Sequence, residues 1–338
     1  MGIFSVISLL GGLSIFLYGM DIMGDGLKSS SSKALKSMLE KVTHSAVLGM
    51  LTGTLVTSVI QSSTATIVLT VGLMGAGILN LRQSISIVLG ANIGTTITAQ
   101  IIRLMDINSS GAVFLEIFKP STLAPLAVLG GIILLKFVKN QKTKGVGMML
   151  MGFGILFTGL MGMTEAVSPL SESQAFTDVL QKFSDVPVLG ILTGLITTFI
   201  VQSSSAVIGI VQALSSTGAF TFQTVYPLII GINLGTCITT AIVCSIGADK
   251  DAKRTGIAHI LFNCVGTVLF MVAITLLHNA GALDFIWGKP MNSGGIANFT
   301  TIFNLVTALV LLPFTNQLVR LTTIIVKDSP DDTEEAYP

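Results

Sequence analysis

Charge is what this chain has least of. Only 10% of its 338 residues are Asp, Glu, Lys or Arg, where soluble globular chains carry roughly 25%. It also holds only three His, three Cys and a single Trp. With 51% hydrophobic residues and a mean hydropathy of +0.84, that deficit assigns an integral membrane protein. The net charge of +1 comes with no basic block and no aromatic–basic interleaving, so no nucleic-acid surface is expected. Cys237, Cys244 and Cys264 lie in apolar segments without CxxC spacing, and they read as small buried core residues rather than a disulfide or metal site. No Lys or Arg precedes the first apolar stretch, so it is expected to stay as a span rather than be cleaved as a leader.

Charge is scarcest inside the apolar segments. Asp21, Asp25 and Glu165 fall near segment ends, and no Asp, Glu, Lys or Arg is expected deep within one. A proton relay through an intramembrane carboxylate then has no carrier, and an anion has no cationic clamp. A Ser–His pair, paired aspartates or a metal cluster within spans is equally missing. His259 stands there without a positioned partner motif, and His44 and His278 lie at segment margins. The chain is not expected to be an enzyme or to carry an organic cofactor.

Two polar runs interrupt the apolar background, Gln61-Ser62-Ser63-Thr64 and Gln202-Ser203-Ser204-Ser205. A glutamine and three hydroxyls inside a membrane segment need partners, because each unpaired group costs several kcal/mol. The runs are 141 residues apart. At that shift residues 49–98 match 190–239 at 18 of 50 positions without a gap, which marks an internal repeat. Gly12–Gly19 resembles Gly152–Gly159 with a one-residue slip.

An all-α membrane fold follows. Repeat 1 covers 1–140, with spans at 2–23, 83–105 and 121–139. Repeat 2 covers 141–278, with spans at 145–167, 222–247 and 255–277. The apolar pieces 46–60 and 64–79 are too short to cross a roughly 30 Å core singly. They read as a re-entrant hairpin, 46–79, with Gln61–Ser63 at its tip, and 188–219 repeats it. An extra span, about 299–320, lies in 279–320, and 321–338 is a short acidic cytoplasmic tail read as disordered. The run from Lys28 to Lys41 reads as an interfacial helix. With the N-terminus outside, 14 Lys and Arg face the cytoplasm and four (Arg103, Lys119, Lys182, Lys289) face outward, in the positive-inside sense. Three crossings per repeat then invert the second repeat relative to the first, so the two tips meet. This places the chain as a multi-pass protein of the cytoplasmic membrane.

About 30 residues after each run comes Asn-x-Gly-Thr, Asn92–Thr95 and Asn233–Thr236. Gly, Asn and Thr in mid-span are expected to break the helix there. His259 to Asn263 and Thr300 to Asn304 share a spacing. Asn263 and Asn304 read mainly as glue between helices.

The paired Gln-Ser-Ser-(Ser/Thr)-Ala runs, each followed by Asn-x-Gly-Thr, resemble the sodium/phosphate cotransporter family over about residues 5–320. The resemblance implies sodium-driven uptake of inorganic phosphate through two inverted repeats, with the Gln-Ser-Ser runs as the substrate and ion site. The first copy departs from the family's pattern, with Thr64 where a Ser is usual. Many bacterial relatives continue into a cytosolic helical domain, whereas a short tail follows here.

The residues support the same site. The second helix of each hairpin starts at the polar run, and its free N–H groups and positive dipole end favour an anion. The substrate set is Gln61, Ser62, Ser63, Gln202, Ser203 and Ser204, with Asn92 and Asn233. Sodium takes oxygen ligands, so its set is Gln61, Ser63, Thr64, Thr95, Gln202, Ser204, Ser205 and Thr236. Without cationic side chains, co-bound sodium must neutralise phosphate. Two alternatives stay open: a carrier of another oxyanion or a small carboxylate, and a passive anion channel. Phosphate, sodium and bilayer lipid are the expected partners, and a homodimer is left open.

Overall fold

A computed structural model describes residues 3–40, 45–106, 119–169, 173–245 and 250–327. Helices account for nearly all of the regular structure among them; one isolated bridge, Thr221 with Pro290, is the β-type contact. The first half holds α1 (Ile3–Glu40), α2 (Ala46–Ile60), α3 (Ser63–Gly75), α4 (Leu81–Ile102) and α5 (Pro120–Phe137). The second holds α6 (Gln141–Val167), α7 (Gln174–Asp185), α8 (Pro187–Val201), α9 (Ser204–Ser215), α10 (Phe222–Val243) and α11 (Lys250–Asn279). Then follow α12 (Ser293–Leu311), a short turn of 3-10 helix and α13 (Thr315–Ile325).

Six stretches are long and apolar enough to cross a bilayer: Ile3–Ser30, α4, α6, α10, α11 and Ser293–Ile325. Of the seven spans expected, the one at 121–139 falls among the shorter apolar helices, with α2, α3, α8 and α9. Large apolar side chains such as Leu10, Leu129, Ile196, Val268 and Leu276 stay exposed on the outside, where hydrocarbon takes the place of water. Within the bundle, Phe16, Leu156, Phe157 and Leu160 pack between α1 and α6. Phe222, Tyr226, Phe270, Phe299 and Phe303 join α10, α11 and α12.

Glycine decides which helices touch. Gly12, Gly19 and Gly26 of α1 lie against Gly159, Gly152 and Gly145 of α6, with backbone meeting backbone. As one series rises the other falls, so α1 and α6 run antiparallel. Gly90 and Gly94 of α4 meet Met50 and Thr54 of α2, and Gly231 and Gly235 of α10 meet Ile191 and Leu195 of α8. Here both series rise together, so each pair runs parallel. A methyl group at any of these glycines would enter a neighbour's backbone, which is how small residues bring membrane helices close.

The chain turns where the polar runs predict it. α2 ends at Gln61 and α8 at Gln202, both in the left-handed region, at φ 59° and 57°. Other expectations need correction. No break occurs at Asn92 or Asn233: α4 and α10 run through both as unbroken helices. Each Asn donates its side-chain N–H to the carbonyl one turn back, Val88 at 2.9 Å and Ile229 at 2.8 Å. The glycines beside them, Gly94 and Gly235, serve close packing. α1 does not end near 23. It continues to Glu40 and absorbs the run read as a separate interfacial helix. Cys237 and Cys244 are buried as expected, but Cys264 is exposed. The extra span starts at Ser293, six residues early, and gives way to a turn at Leu312–Phe314. His44, Lys41 and the tail beyond Lys327 lie outside the described residues.

Candidate functional site

Each polar run builds the same small device. Gln61 caps α2 with its N–H on the Thr57 carbonyl at 2.6 Å, and Gln202 caps α8 on Thr198 at 2.7 Å. The left-handed turn then aims the chain back. Ser62 and Ser203 follow as N-caps, in extended conformation, and their hydroxyls accept from Ala65 and Ala206 N–H, each at 3.2 Å. That satisfies one of the free N–H groups in the first turn of α3 and of α9. The other first-turn N–H groups and the positive helix ends remain for a ligand.

The two devices converge. One cavity of about 220 Å³ is lined by Gln61, Ser62, Ser63, Thr64, Gln202, Ser203, Ser204, Ser205, Thr95, Thr236, Met20 and Asp21. Pockets for drug-sized ligands run to roughly 300–1,000 Å³, so this one suits small ions. No Lys or Arg lines it. Thr95 and Thr236 give their hydroxyl protons to Ala91 and Ile232 carbonyls one turn back, at 3.1 and 3.2 Å. Their oxygens keep lone pairs free to accept or to coordinate a cation. Both amide atoms of Gln61 are buried without a hydrogen-bond partner. A buried unpaired amide costs about 1–3 kcal/mol, a cost that a bound ligand would remove.

A wider vestibule of about 640 Å³ adjoins the cavity and shares Ser62, Thr64 and Gln202 with it. It runs between α3 and α10, past Val68, Leu69, Thr239, Ile242 and Val243. Among the described residues, the repeat-related positions on α9 are packed against neighbours. There Gly209 of α9, the counterpart of Val68, has the Phe16 ring packed against it. Gln212, the counterpart of Val71, ties α9 to the Ala99 carbonyl of α4 at 3.1 Å and to Ser293 Oγ of α12 at 2.8 Å.

Asn92 and Asn233 do not line the cavity. They sit at the centre of a buried polar seam instead. Asn92 Oδ1 meets His259 Nε2 at 3.0 Å, and Asn233 Oδ1 accepts from Asn304 Nδ2 at 3.3 Å. All four residues are buried. Asn263 donates to the His259 carbonyl at 3.2 Å.

Asp21 is the residue that sequence reasoning placed wrongly. With α1 ending near 23 it lay at a membrane edge, but with α1 reaching Glu40 it lies near mid-helix and lines the site. The signal was present in the sequence. Gly12, Gly19 and Gly26 keep one spacing across residue 23, and a helix packed on that spacing has no reason to stop there.

The family model described as Na+/Pi-cotransporter matches the chain twice, over residues 15–165 and 162–288. The chain is 30% identical to the Bacillus subtilis (strain 168) protein YqeW over 92% of its own length and 95% of that protein's. It is 26% identical to the Escherichia coli (strain K12) "Putative inorganic phosphate export protein YjbB" over 98% of its own length, and spans 58% of that protein. The human "Sodium-dependent phosphate transport protein 2B" shares 33% identity over 108 residues, 31% of this chain and 16% of that protein. No solved structure matches. The double match falls on the two halves that carry the polar turns, and the chain belongs to the Na+/Pi-cotransporter family, a family of transporters and not of enzymes.

Proposed function

We propose that the chain carries inorganic phosphate across the cytoplasmic membrane together with sodium, by alternating access around the cavity between the two Gln-Ser-Ser turns. One observation carries the reading. A cavity sized for small ions is built from hydroxyls, amides, the Asp21 carboxylate and two helix N-termini, with no cationic side chain. Phosphate gains hydrogen bonds from Gln61, Ser62, Ser63, Gln202, Ser203 and Ser204, but finds no fixed positive charge. Sodium held by the oxygens of Thr64, Thr95, Ser205 and Thr236, with those of Gln61, Ser63, Gln202 and Ser204, supplies the missing charge. Asn92 and Asn233, spent on the buried seam, act by holding α4 and α10 in place rather than by touching phosphate.

The antiparallel pairing of α1 with α6 supports inverted repeats, since these helices begin the two halves. It also supports hairpins that enter from opposite faces. In the orientation set by Lys and Arg, the N-terminus is outside, the end after α13 is cytoplasmic, and the vestibule between α3 and α10 opens to the cytoplasm. Sodium flowing down its usual gradient would then bring phosphate in. The name of the E. coli relative speaks of export, and this favours outward movement as the second reading.

Radiolabelled phosphate movement in proteoliposomes, with sodium, potassium or proton gradients of either sign, tests both. Accumulation above equilibrium driven only by inward sodium supports coupled import. Phosphate moving outward against its gradient supports export. Downhill movement with any cation would make the chain a channel, and competition by arsenate, sulfate or succinate would identify another substrate.

A further inference from the structure

The polar lining of the cavity is near two-fold, with one exception. Gln61, Ser62, Ser63 and Thr95 answer Gln202, Ser203, Ser204 and Thr236. Asp21 answers nothing, because the repeat-equivalent position, 140 residues on, is Met161. Asp21 lies within the candidate span Ile3–Ser30, and it is the one charged side chain among the residues lining the cavity. Among the described residues it has no hydrogen-bond or ion-pair partner.

An unpaired carboxylate at the edge of a site for phosphate is a liability as it stands. Asp21 is exposed in this state, yet two anions sharing a cavity of about 220 Å³ repel one another. A cation between them reverses the sign of the interaction, since it is drawn to the carboxylate and then draws the phosphate. The carboxylate also supplies the hard, charged oxygen that the hydroxyls around it lack. We infer that Asp21 is a direct ligand of one transported sodium, and that it makes phosphate binding conditional on that ion. The assignment rests on the sodium-coupled reading above and adds to it one named ligand and one unit of stoichiometry.

Asp21→Asn keeps the size and an amide oxygen but removes the charge, and with no partner to lose it should leave the fold intact. The test is the ratio of ²²Na⁺ to ³²P flux in proteoliposomes of the full chain, with the sodium dependence of the phosphate-induced rise in melting temperature of the purified protein. The second readout does not need transport. In the wild-type chain, phosphate should stabilise only when sodium is present. Asp21→Asn should move one fewer sodium per phosphate and need about tenfold more sodium for half-maximal stabilisation, the loss expected of one charge-assisted ligand. Asp21→Glu should keep the wild-type ratio.

An unchanged ratio and unchanged sodium dependence in Asp21→Asn, beside a sodium-coupled wild type, would overturn the assignment alone. A variant that keeps its sodium ratio but loses a proton dependence present in the wild type would also overturn it, in favour of a proton carrier. A wild-type chain that binds and moves phosphate without sodium would remove the coupled reading and this assignment together.

Discussion

His259 and Asn92, on α11 and α4, share a hydrogen bond of 3.0 Å in a fully buried place. Its polarity can be assigned. Asn92 spends its Nδ2 on the Val88 carbonyl, so Oδ1 is the atom left to accept. His259 therefore carries its proton on Nε2, and Nδ1 is left without a partner. His259→Phe would strand the Asn92 oxygen at a cost of about 1–3 kcal/mol, read as a lower melting temperature of the purified protein. His259→Gln restores a donor and should recover part of that loss.

The hydroxyls at the two turns should matter in a way that other hydroxyls do not. Ser63 and Ser204 open α3 and α9 at the cavity. The Thr54 hydroxyl bonds the Met50 and Gly90 carbonyls between α2 and α4. Ser63→Ala and Ser204→Ala should each weaken phosphate affinity by about tenfold, the value of one hydrogen bond to a charged group. Thr54→Ala should lower thermal stability slightly and leave phosphate affinity unchanged. Affinity measured on all three variants decides, and equal damage from Thr54→Ala with normal serine variants would sink the site.

Gln212 should act as a bolt between α9 and its neighbours. Its amide joins three helices through Ala99 and Ser293, and its repeat counterpart, Val71, cannot do the same. Gln212→Leu removes those bonds, worth about 1 kcal/mol each, and should shift the population toward a state open on the Gly209 side. A cysteine placed at Ile210 would then react faster with a membrane-impermeant thiol reagent than it does beside an intact Gln212.

Close approach at glycine makes a sharper stability prediction. Gly90 and Gly231 hold equivalent places, against Met50 and Ile191 carbonyls. Ala at either should cost about 1–3 kcal/mol or more, as overpacking does, because the obstacle is backbone and cannot rotate away. Gly72 and Gly75 meet nothing within 4 Å, and Ala there should be tolerated. Melting temperatures of the four variants check this.

What the sequence could tell depended on contrast. Gln61–Thr64 and Gln202–Ser205 stand out because polar groups are expensive in apolar segments, so both turns and their pairing were legible. Asn92 and Asn233 also stood out, but their consequence was not legible. A mid-helix Asn can bond the carbonyl one turn back, and then no break is needed. Whether it does depends on partners far away in the chain, His259 and Asn304. The end of α1 was misjudged because hydropathy falls near residue 23 while the helix continues. The composition changes there but the packing does not. The amphipathic α7 and the stretch carrying Trp287, which packs on Phe222 and Tyr226, lay between the strong signals and left no mark that periodicity could read.

The glycine contacts of α1 and α6 have a mechanical consequence. Gly12, Gly19 and Gly26 engage Gly159, Gly152 and Gly145 like matched teeth. Sliding one helix by a single residue would drive side chains into backbone at every tooth, and registry returns only after seven residues, about 10 Å along the axis. The pair can rotate as a body, but it cannot shear. Any relative motion of the two halves must therefore carry this pair as one body.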